Sequence, residues 1–288
     1  MVNNLKVGIV PNFTRIKTLD ILKEVISSLE NLNIDYYFDS ESMDSFPISI
    51  DNNKICPNMF CIVDIIIVIG GDGSYIHAAK DAAMYKKPVL CINAGNLAFL
   101  AGLEAHELGL LKNLISGDYI KDRRMMLEVV LKTDSEEKLL GYCLNDVVIA
   151  RYGDIKLIDL DVLCNDKKIN RYRGDGVVIS TPTGSTAYAW SAGGPVIDPD
   201  LKCITLTPIC THSPLNRTLV FNEKSIITVR GTDSSQRICL STDGDSSLEL
   251  NDNFEVIVRE SSLYAEFIRI KSDEFFDVLN SKLTQRRI

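Results

Sequence analysis

IVDIIIVIGGDGS, residues 62–74, is the stretch from which the rest of the chain is read. The run Ile62–Ile69 is β-branched throughout apart from Asp64. Such a run suits a strand buried on both faces, the kind found in parallel sheets covered by helices. It is far short of the roughly 20 apolar residues that span a bilayer. Gly70-Gly71-Asp72-Gly73-Ser74 follows at once, and Tyr75–Met84 then reads as a helix. The glycine turn therefore joins a strand to a helix at the carboxyl end of the strand, where ligands of open α/β sheets gather.

Working outward, the first hundred residues alternate β-like and α-like segments. Lys6–Val10 and Ile34–Phe38 read as strands, and Thr18–Leu29 as a helix with Leu19, Leu22, Val25, Ile26 and Leu29 at helical spacing. Asp39–Lys54 is polar and irregular, and Val89–Asn93 is a strand. Beyond about residue 120 the runs become short and strand-like: Met126–Leu131, Tyr142–Ala150, Leu157–Leu163, Gly176–Ser180, Ile204–Thr207, Ser225–Val229, Ile238–Leu240 and Phe254–Arg259. Thr183–Ser191 is the one internal stretch there that reads as opening a helix, and Asp273–Leu283 is expected as a last helix. The expectation is an α/β domain with a parallel sheet over 1–103, joined by the C-terminal helix of 268–288, and a β-rich, sandwich-like domain over 104–267.

The composition allows a large core, with 45% hydrophobic and 24% charged residues. A formal charge of −8 argues against nucleic acid or an anionic membrane as partner, so any phosphate must be held locally. The eight cysteines lie scattered without a CxxC pair and read as reduced thiols. The chain begins directly with the strand-like Leu5–Val10 and shows no signal-peptide pattern, so a cytoplasmic protein is expected. His77, His106 and His212 lack metal-ligand spacing, and no metal site of the protein's own is expected.

The chemistry-bearing residues fall in a few clusters. In the glycine turn, backbone amides and the helix N-terminus suit a phosphate. Asp72 would repel that phosphate unless it accepts a proton or shares a metal ion; taken alone, the motif also reads as a tight turn with a capping Asp. His77 lies one turn further on and either points toward a phosphate or is a solvated helix residue. Asn93–Leu100 follows another strand and reads equally as a ligand loop or a connection. Asn145-Asp146 interrupts apolar sequence and suits a ribose diol, although such pairs are often turns. From Arg171 to Pro199 small and hydroxyl residues crowd together. There Arg173 and Asp175 offer a phosphate partner and a carboxylate, Thr183–Thr186 a Gly/Ser/Thr loop, and Tyr188 a flat ring, unless the run is a glycine-rich hairpin. Neither GxGxxG after a strand nor a Walker loop is present.

Taken together, GGDGS (70–74), NAGNLAFLA (93–101), LND (144–146), RGDGVVISTPTGSTAY (173–188), SAGGPVIDP (191–199) and PICTHSPLNRTLV (208–220) resemble the NAD kinase family, in its order. The GGDG element alone is shared with phosphofructokinases and lipid kinases. The resemblance implies phosphorylation of the adenosine ribose 2′-hydroxyl of NAD by ATP or polyphosphate, with a divalent metal, Mg2+, on the donor. It implies Asp72 as the catalytic carboxylate, Gly71 and Gly73 beside the donor phosphates, and Asn145 and Asp146 on the ribose. Arg173, Asp175, Thr186, Ala187, Tyr188, Ser191 and Cys210 are implied to line the dinucleotide pocket, some of them from a neighbouring subunit of a homodimer or homotetramer. Thr183 and Asp245 join the expected binding residues, with Asp245 standing where the family usually has an amide. Ser74 replaces a common Thr, Asp146 a common Glu and Ala98 a frequent Gly, and Pro214 and Thr218 also depart from the pattern. Two rival readings remain: a lipid kinase, which requires membrane affinity the sequence does not display, and a dinucleotide sensor that binds without turnover.

Overall fold

A computed structural model of the chain describes residues 5–95, 98–100, 102–153, 156–233, 236–250, 253–271 and 275–285. The expected site loop at Asn96, Leu97 and Ala101, and Asp273 at the start of the expected last helix, lie outside the described residues. The chain divides into two compact units, Met1–Arg123 with Ala265–Ile288, and Arg124–Tyr264.

The first unit is built on parallel strands β1 (Lys6–Pro11), β2 (Asp35–Asp39), β3 (Ile55–Cys56), β4 (Ile65–Gly70), β5 (Val89–Asn93) and β6 (Leu103–Glu104). Their order is β3-β2-β1-β4-β5, with β6 beside β5. All residues of β4 and β5 are buried, as the unbroken apolar runs require. Strand β4 begins only at Ile65, because Met59–Cys61 form a 3-10 turn that leaves Ile62 exposed. Helix α1 (Thr18–Asn31) lays Ile21, Leu22, Val25 and Leu29 on the core that holds Val7, Ile9, Ile67 and Ile69. Helix α2 (Asp72–Met84) buries Tyr75, Ile76, Ala78, Ala79, Ala82 and Ala83. From β1 the chain crosses to β2 on one side, and from β4 it crosses to β5 on the other. The crevice beyond the carboxyl ends of β1 and β4 is thus the point where the winding reverses, the ligand position of doubly wound sheets.

The second unit is antiparallel. Strands β7 (Ile120–Lys132, whose first residues belong to the first unit), β8 (Glu137–Cys143), β9 (Asp146–Arg151), β10 (Ile158–Cys164), β11 (Lys167–Gly174) and β12 (Gly176–Ser180) are followed by β13 (Cys203–Ile209), β14 (Leu219–Asn222), β15 (Ile227–Gly231), β16 (Ile238–Thr242), β17 (Leu248–Leu250) and β18 (Glu255–Arg269). One sheet runs β11-β10-β15-β18 with the β7–β8 hairpin against β18, and the other runs β14-β13-β12-β9-β16-β17. Leu160, Val162, Val229 and Val256 from the first meet Val147, Ile149, Val177 and Leu206 from the second in one core, a sandwich-like packing. The last residues of β18 return to the first unit, where Phe267 lies opposite Val89, and helix Phe275–Gln285 follows.

Two segments differ from the sequence expectation. Tyr142–Ala150 is not one strand, because the chain breaks at Leu144-Asn145 between β8 and β9. Thr183–Ser191 is not one helix but a 3-10 turn, Thr183–Thr186, and a single helical turn, Tyr188–Ser191. Ala189 of that turn packs on Val178 and Ile209, covering the outer face of β12 and β13, and every residue of both strands is buried.

Leu22 is fully buried under the parallel sheet. Leu22→Ala is expected to cost about 2–5 kcal/mol, read as a lower urea midpoint with an unchanged slope.

Candidate functional site

In the first unit the site grows from the β4–α2 turn. Gly70 has no room for a side chain, since a Cβ there would stand 2.7 Å from the Ser74 Oγ. Gly73 is the opposite case: it is exposed, and a Cβ would meet nothing within 4 Å, which leaves open space over the helix N-terminus. Asp72 begins α2 and is half-buried. Its Oδ1 accepts from the Phe99 and Leu100 amides at 2.7 and 3.0 Å, and the Phe99 amide also reaches Oδ2 at 2.9 Å. The carboxylate is therefore fixed by backbone, at a helix end whose dipole favours negative charge. The loop after β1 is tied to the same turn: the Asn12 Nδ2 donates to the Ser74 Oγ at 2.7 Å and the Asn12 amide to the Ile69 carbonyl at 2.9 Å. His77 is exposed on α2, facing a groove of about 1030 Å³ that Asn12, Ser74, Asp81, Asp39 and Glu41 also line.

In the second unit Asn145 and Asp146 stand at the head of β9, held by a residue that sequence reasoning missed. Asp243 lies in a left-handed turn, φ 51°, and its carboxylate accepts from the amides of Leu144 (2.8 Å), Asn145 (2.7 Å) and Asp146 (3.1 Å). Its own amide donates to the Asp146 carbonyl at 2.9 Å. The only sequence signal was an Asp-Gly turn, Asp243-Gly244, beside Asp245. The carbonyls of this break are also taken up. That of Asn145 accepts from the Thr181 amide and the Ser180 hydroxyl, and that of Leu144 from the Thr181 hydroxyl at 2.6 Å. Gly184 packs so closely on the Asn145 backbone that no Cβ fits. The 181–188 segment is thereby locked against the Asn-Asp pair.

Burial pushes the Asp146 carboxyl up to about 7, with the nearby Asp243 charge adding to it and a hydrogen bond from the Tyr188 amide opposing it. Thr183 is buried with its Oγ1 3.4 Å from the Arg124 guanidinium, and the Thr186 Oγ1 donates to the Thr183 carbonyl. Ala187 is half-buried between the two turns, whereas Tyr188 (46% exposed) and Ser191 face solvent. Asp245 is exposed, and its carbonyl accepts from the Ser241 hydroxyl.

The structure does not bring the remaining expected residues to this cluster. In the antiparallel register Ser180 lies opposite Asp146, and Gly176 opposite Ala150 and Ile209. Asp175, Arg173 and Cys210 therefore sit beyond the far end of β12, more than about 13 Å from Asp146 at roughly 3.3 Å per residue. There the Arg151 Nε donates to the Asp175 Oδ1 at 2.9 Å, exposed Arg173 comes within 4.0 Å of Asp159, and exposed Cys210 adopts φ 46°.

Among the described residues no group of three His, Cys, Asp or Glu side chains is arranged to hold a metal ion. No helix among them is long and apolar enough to cross a membrane.

Two family models match the chain: ATP-NAD kinase N-terminal domain over residues 7–119, and ATP-NAD kinase C-terminal domain over residues 144–270. The NAD kinase of Caldanaerobacter subterraneus subsp. tengcongensis is 32% identical over 282 residues, 98% of this chain and 99% of that protein. The NAD kinase of Thermoanaerobacter pseudethanolicus is 33% identical over 284 residues, again 98% and 99%. Among solved structures, yeast NADH kinase complexed with NADH aligns with a TM-score of 0.85 and 25% identity, over 98% of this chain and 88% of that one. An NAD kinase from Archaeoglobus fulgidus in complex with ATP aligns with a TM-score of 0.73 over 97% and 99%; at 23% identity this likeness speaks for the fold alone.

The raised Asp146 carboxyl makes stability depend on pH. Its native value of about 7 exceeds the unfolded value of about 3.9, so the native state holds the proton between them and the unfolded state does not. The stabilisation is complete below about pH 4, is lost as pH rises through 7 and is flat above. Relative to Asp146→Asn, the parent is expected to lose on the order of a few kcal/mol over that window, checked by urea unfolding of both proteins at pH 4.5 and 8.

Proposed function

This chain belongs to the NAD kinase family: it is a phosphotransferase acting on an alcohol group, which uses ATP to phosphorylate NAD; from that premise we propose how its residues divide the work. The acceptor is the 2′-hydroxyl of the adenosine ribose and the product is NADP. Asn145 and Asp146 hold the ribose, Asp146 as a neutral acid below about pH 7 that donates one hydrogen bond and accepts others. Thr183, Thr186, Ala187, Tyr188 and Ser191 line the dinucleotide, with Asp245 at the rim. Gly71 and Gly73 border the donor phosphates, and His77 lies on the donor side.

Asp72 orients the hydroxyl and receives its proton as the new O–P bond forms and the bond to the leaving diphosphate oxygen breaks. In a loose transition state that proton moves late, so positioning of the carboxylate matters more than its basicity. The observation that carries this reading is the bracing of Asp72 by the Phe99 and Leu100 amides at the mouth of the glycine turn. A divalent metal, which we take to be Mg2+, comes with the donor and neutralises its phosphates. Polyphosphate is the alternative donor.

Arg173, Asp175 and Cys210 lie too far along β12 to serve the ribose that Asp146 holds. We assign them to the dinucleotide of a second copy, in a homodimer or homotetramer. We take the β-rich domain, expected over 104–267 and compact over Arg124–Tyr264, as the dinucleotide-binding part, and we propose that the protein works in the cytoplasm.

Purified protein incubated with NAD, ATP and magnesium is expected to yield NADP, detected with a strictly NADP-dependent dehydrogenase. Asp72→Asn is expected to bind NAD within about threefold of the parent by calorimetry while kcat falls at least about 100-fold. A folded variant that keeps its turnover would remove Asp72 from the proton transfer, and a parent that binds NAD without making NADP would be a sensor.

A further inference from the structure

The loop between β1 and α1, residues 12–17, carries a cation that the division of labour above leaves unused. Its backbone is pinned from several directions. The Thr14 amide and hydroxyl both donate to the Asn12 Oδ1, at 3.0 and 2.7 Å, the Arg15 amide donates to the Asn12 carbonyl, and the Thr18 hydroxyl donates to the same carbonyl at 2.7 Å. With Asn12 itself bonded to Ser74, the loop is fastened to the glycine turn across the winding-reversal crevice.

From this platform the Arg15 guanidinium reaches over the turn, and its Nη2 stands 3.7 Å from the point where a Cβ on Gly71 would lie. Arg15 is exposed, and among the described residues no carboxylate pairs with it. By contrast Arg151, Arg171, Arg230, Arg237 and Arg259 each hold an ion pair. A guanidinium left without an anion, held over a turn that receives one, is arranged for a phosphate.

We propose that Arg15 is a catalytic residue of the transfer, binding the terminal phosphate of the donor as it passes to the ribose. The proposal rests on the reading of the chain as an NAD kinase. In the step, the bond from the terminal phosphorus to the bridging oxygen breaks, and that oxygen leaves on the nucleoside diphosphate. The ribose oxygen bonds to phosphorus, and its proton passes to Asp72. Arg15 forms and breaks no covalent bond; its charge offsets the repulsion that Asp72 exerts on the incoming phosphate and follows the charge spreading over the transferred oxygens. The groove lined by Asn12, Ser74 and His77 adjoins this point and leaves room for the rest of a nucleoside triphosphate. Its acidic lining, Asp39, Glu41 and Asp81, is unfavourable to a longer polyanion.

The test compares the parent with Arg15→Ala, Arg15→Lys and Lys17→Ala, the last removing an exposed cation from the same loop. ATP and NAD are varied separately in the NADP assay. The magnesium complex of the β,γ-imido analogue of ATP is titrated by calorimetry, and folding is followed by circular dichroism. Arg15→Ala is expected to lower kcat/KM for ATP and weaken the analogue at least about tenfold while NAD binding stays within about twofold. Arg15→Lys should recover part of the loss, and Lys17→Ala should match the parent. Analogue affinity and kcat/KM of Arg15→Ala within twofold of the parent, or an equal loss in Lys17→Ala, would overturn the assignment. A parent that makes no NADP sinks the NAD kinase reading instead, and the analogue titration then decides the role of Arg15 by itself.

Discussion

A carboxylate cannot serve beside a phosphate unless something other than the substrate holds it in place. Left to itself it would turn away from the incoming anion or draw a cation that blocks it. Here the bracing comes from the Phe99 and Leu100 amides, which engage Asp72 at the first position of its helix. Two further contacts keep the surroundings in register: the Tyr75 hydroxyl donates to the Gly70 carbonyl at 2.8 Å, and the Ala94 amide donates to the same carbonyl, joining the ends of β4 and β5. The buried strands exist in this light to bring three loops, after β1, β4 and β5, to one edge of the parallel sheet.

The second unit solves a matching problem with the roles reversed. At the head of β9 it is the backbone that needs holding, because the strand breaks at Leu144-Asn145 and exposes amides that no neighbouring strand can take. The Asp243 carboxylate collects three of them. The Asp146 carboxyl rises chiefly because it is nearly out of water, and the Asp243 charge committed close by adds to the shift. Any change at Asp243 would therefore alter both the placement of Asn145 and the charge of Asp146.

What was legible in the sequence follows from how local each determinant is. Strand β4, its glycine turn and α2 lie within about twenty consecutive residues, and an unbroken β-branched run leaves little choice of structure. The change from an α/β half to a β-rich, sandwich-like half was also readable, because short strand-like runs with turns between them carry it. Strand β11 was missed because Lys167–Gly174 is mostly charged and polar, with only Tyr172 and Gly174 buried. The split of Tyr142–Ala150 was missed because the Asn-Asp pair interrupts an apolar run that pattern alone joins. Asp243 lies about a hundred residues from the amides it holds, and no spacing rule reaches so far. The separation of Asp175 from Asp146 likewise depends on the register of β12 against β9, although the two residues belong to motifs that sequence alone groups together.

The acidity of the chain gives these arrangements their logic. At a net charge of −8 the protein as a whole repels a dinucleotide and a triphosphate, so each must be recognised at close range, where local donors outweigh a screened long-range field. Most arginines cannot help, since their charge is already answered by Asp or Glu on neighbouring strands, as in Arg171 with Asp161 and Arg259 with Glu128. What remains for anions is backbone: helix N-termini and glycine turns, whose amides carry partial positive charge at close range. A chain of this composition is thus driven toward turns such as Gly70–Ser74 for its phosphate chemistry, and a single cation placed over such a turn has an effect that the same cation elsewhere on the surface would lose to its neighbours and to solvent.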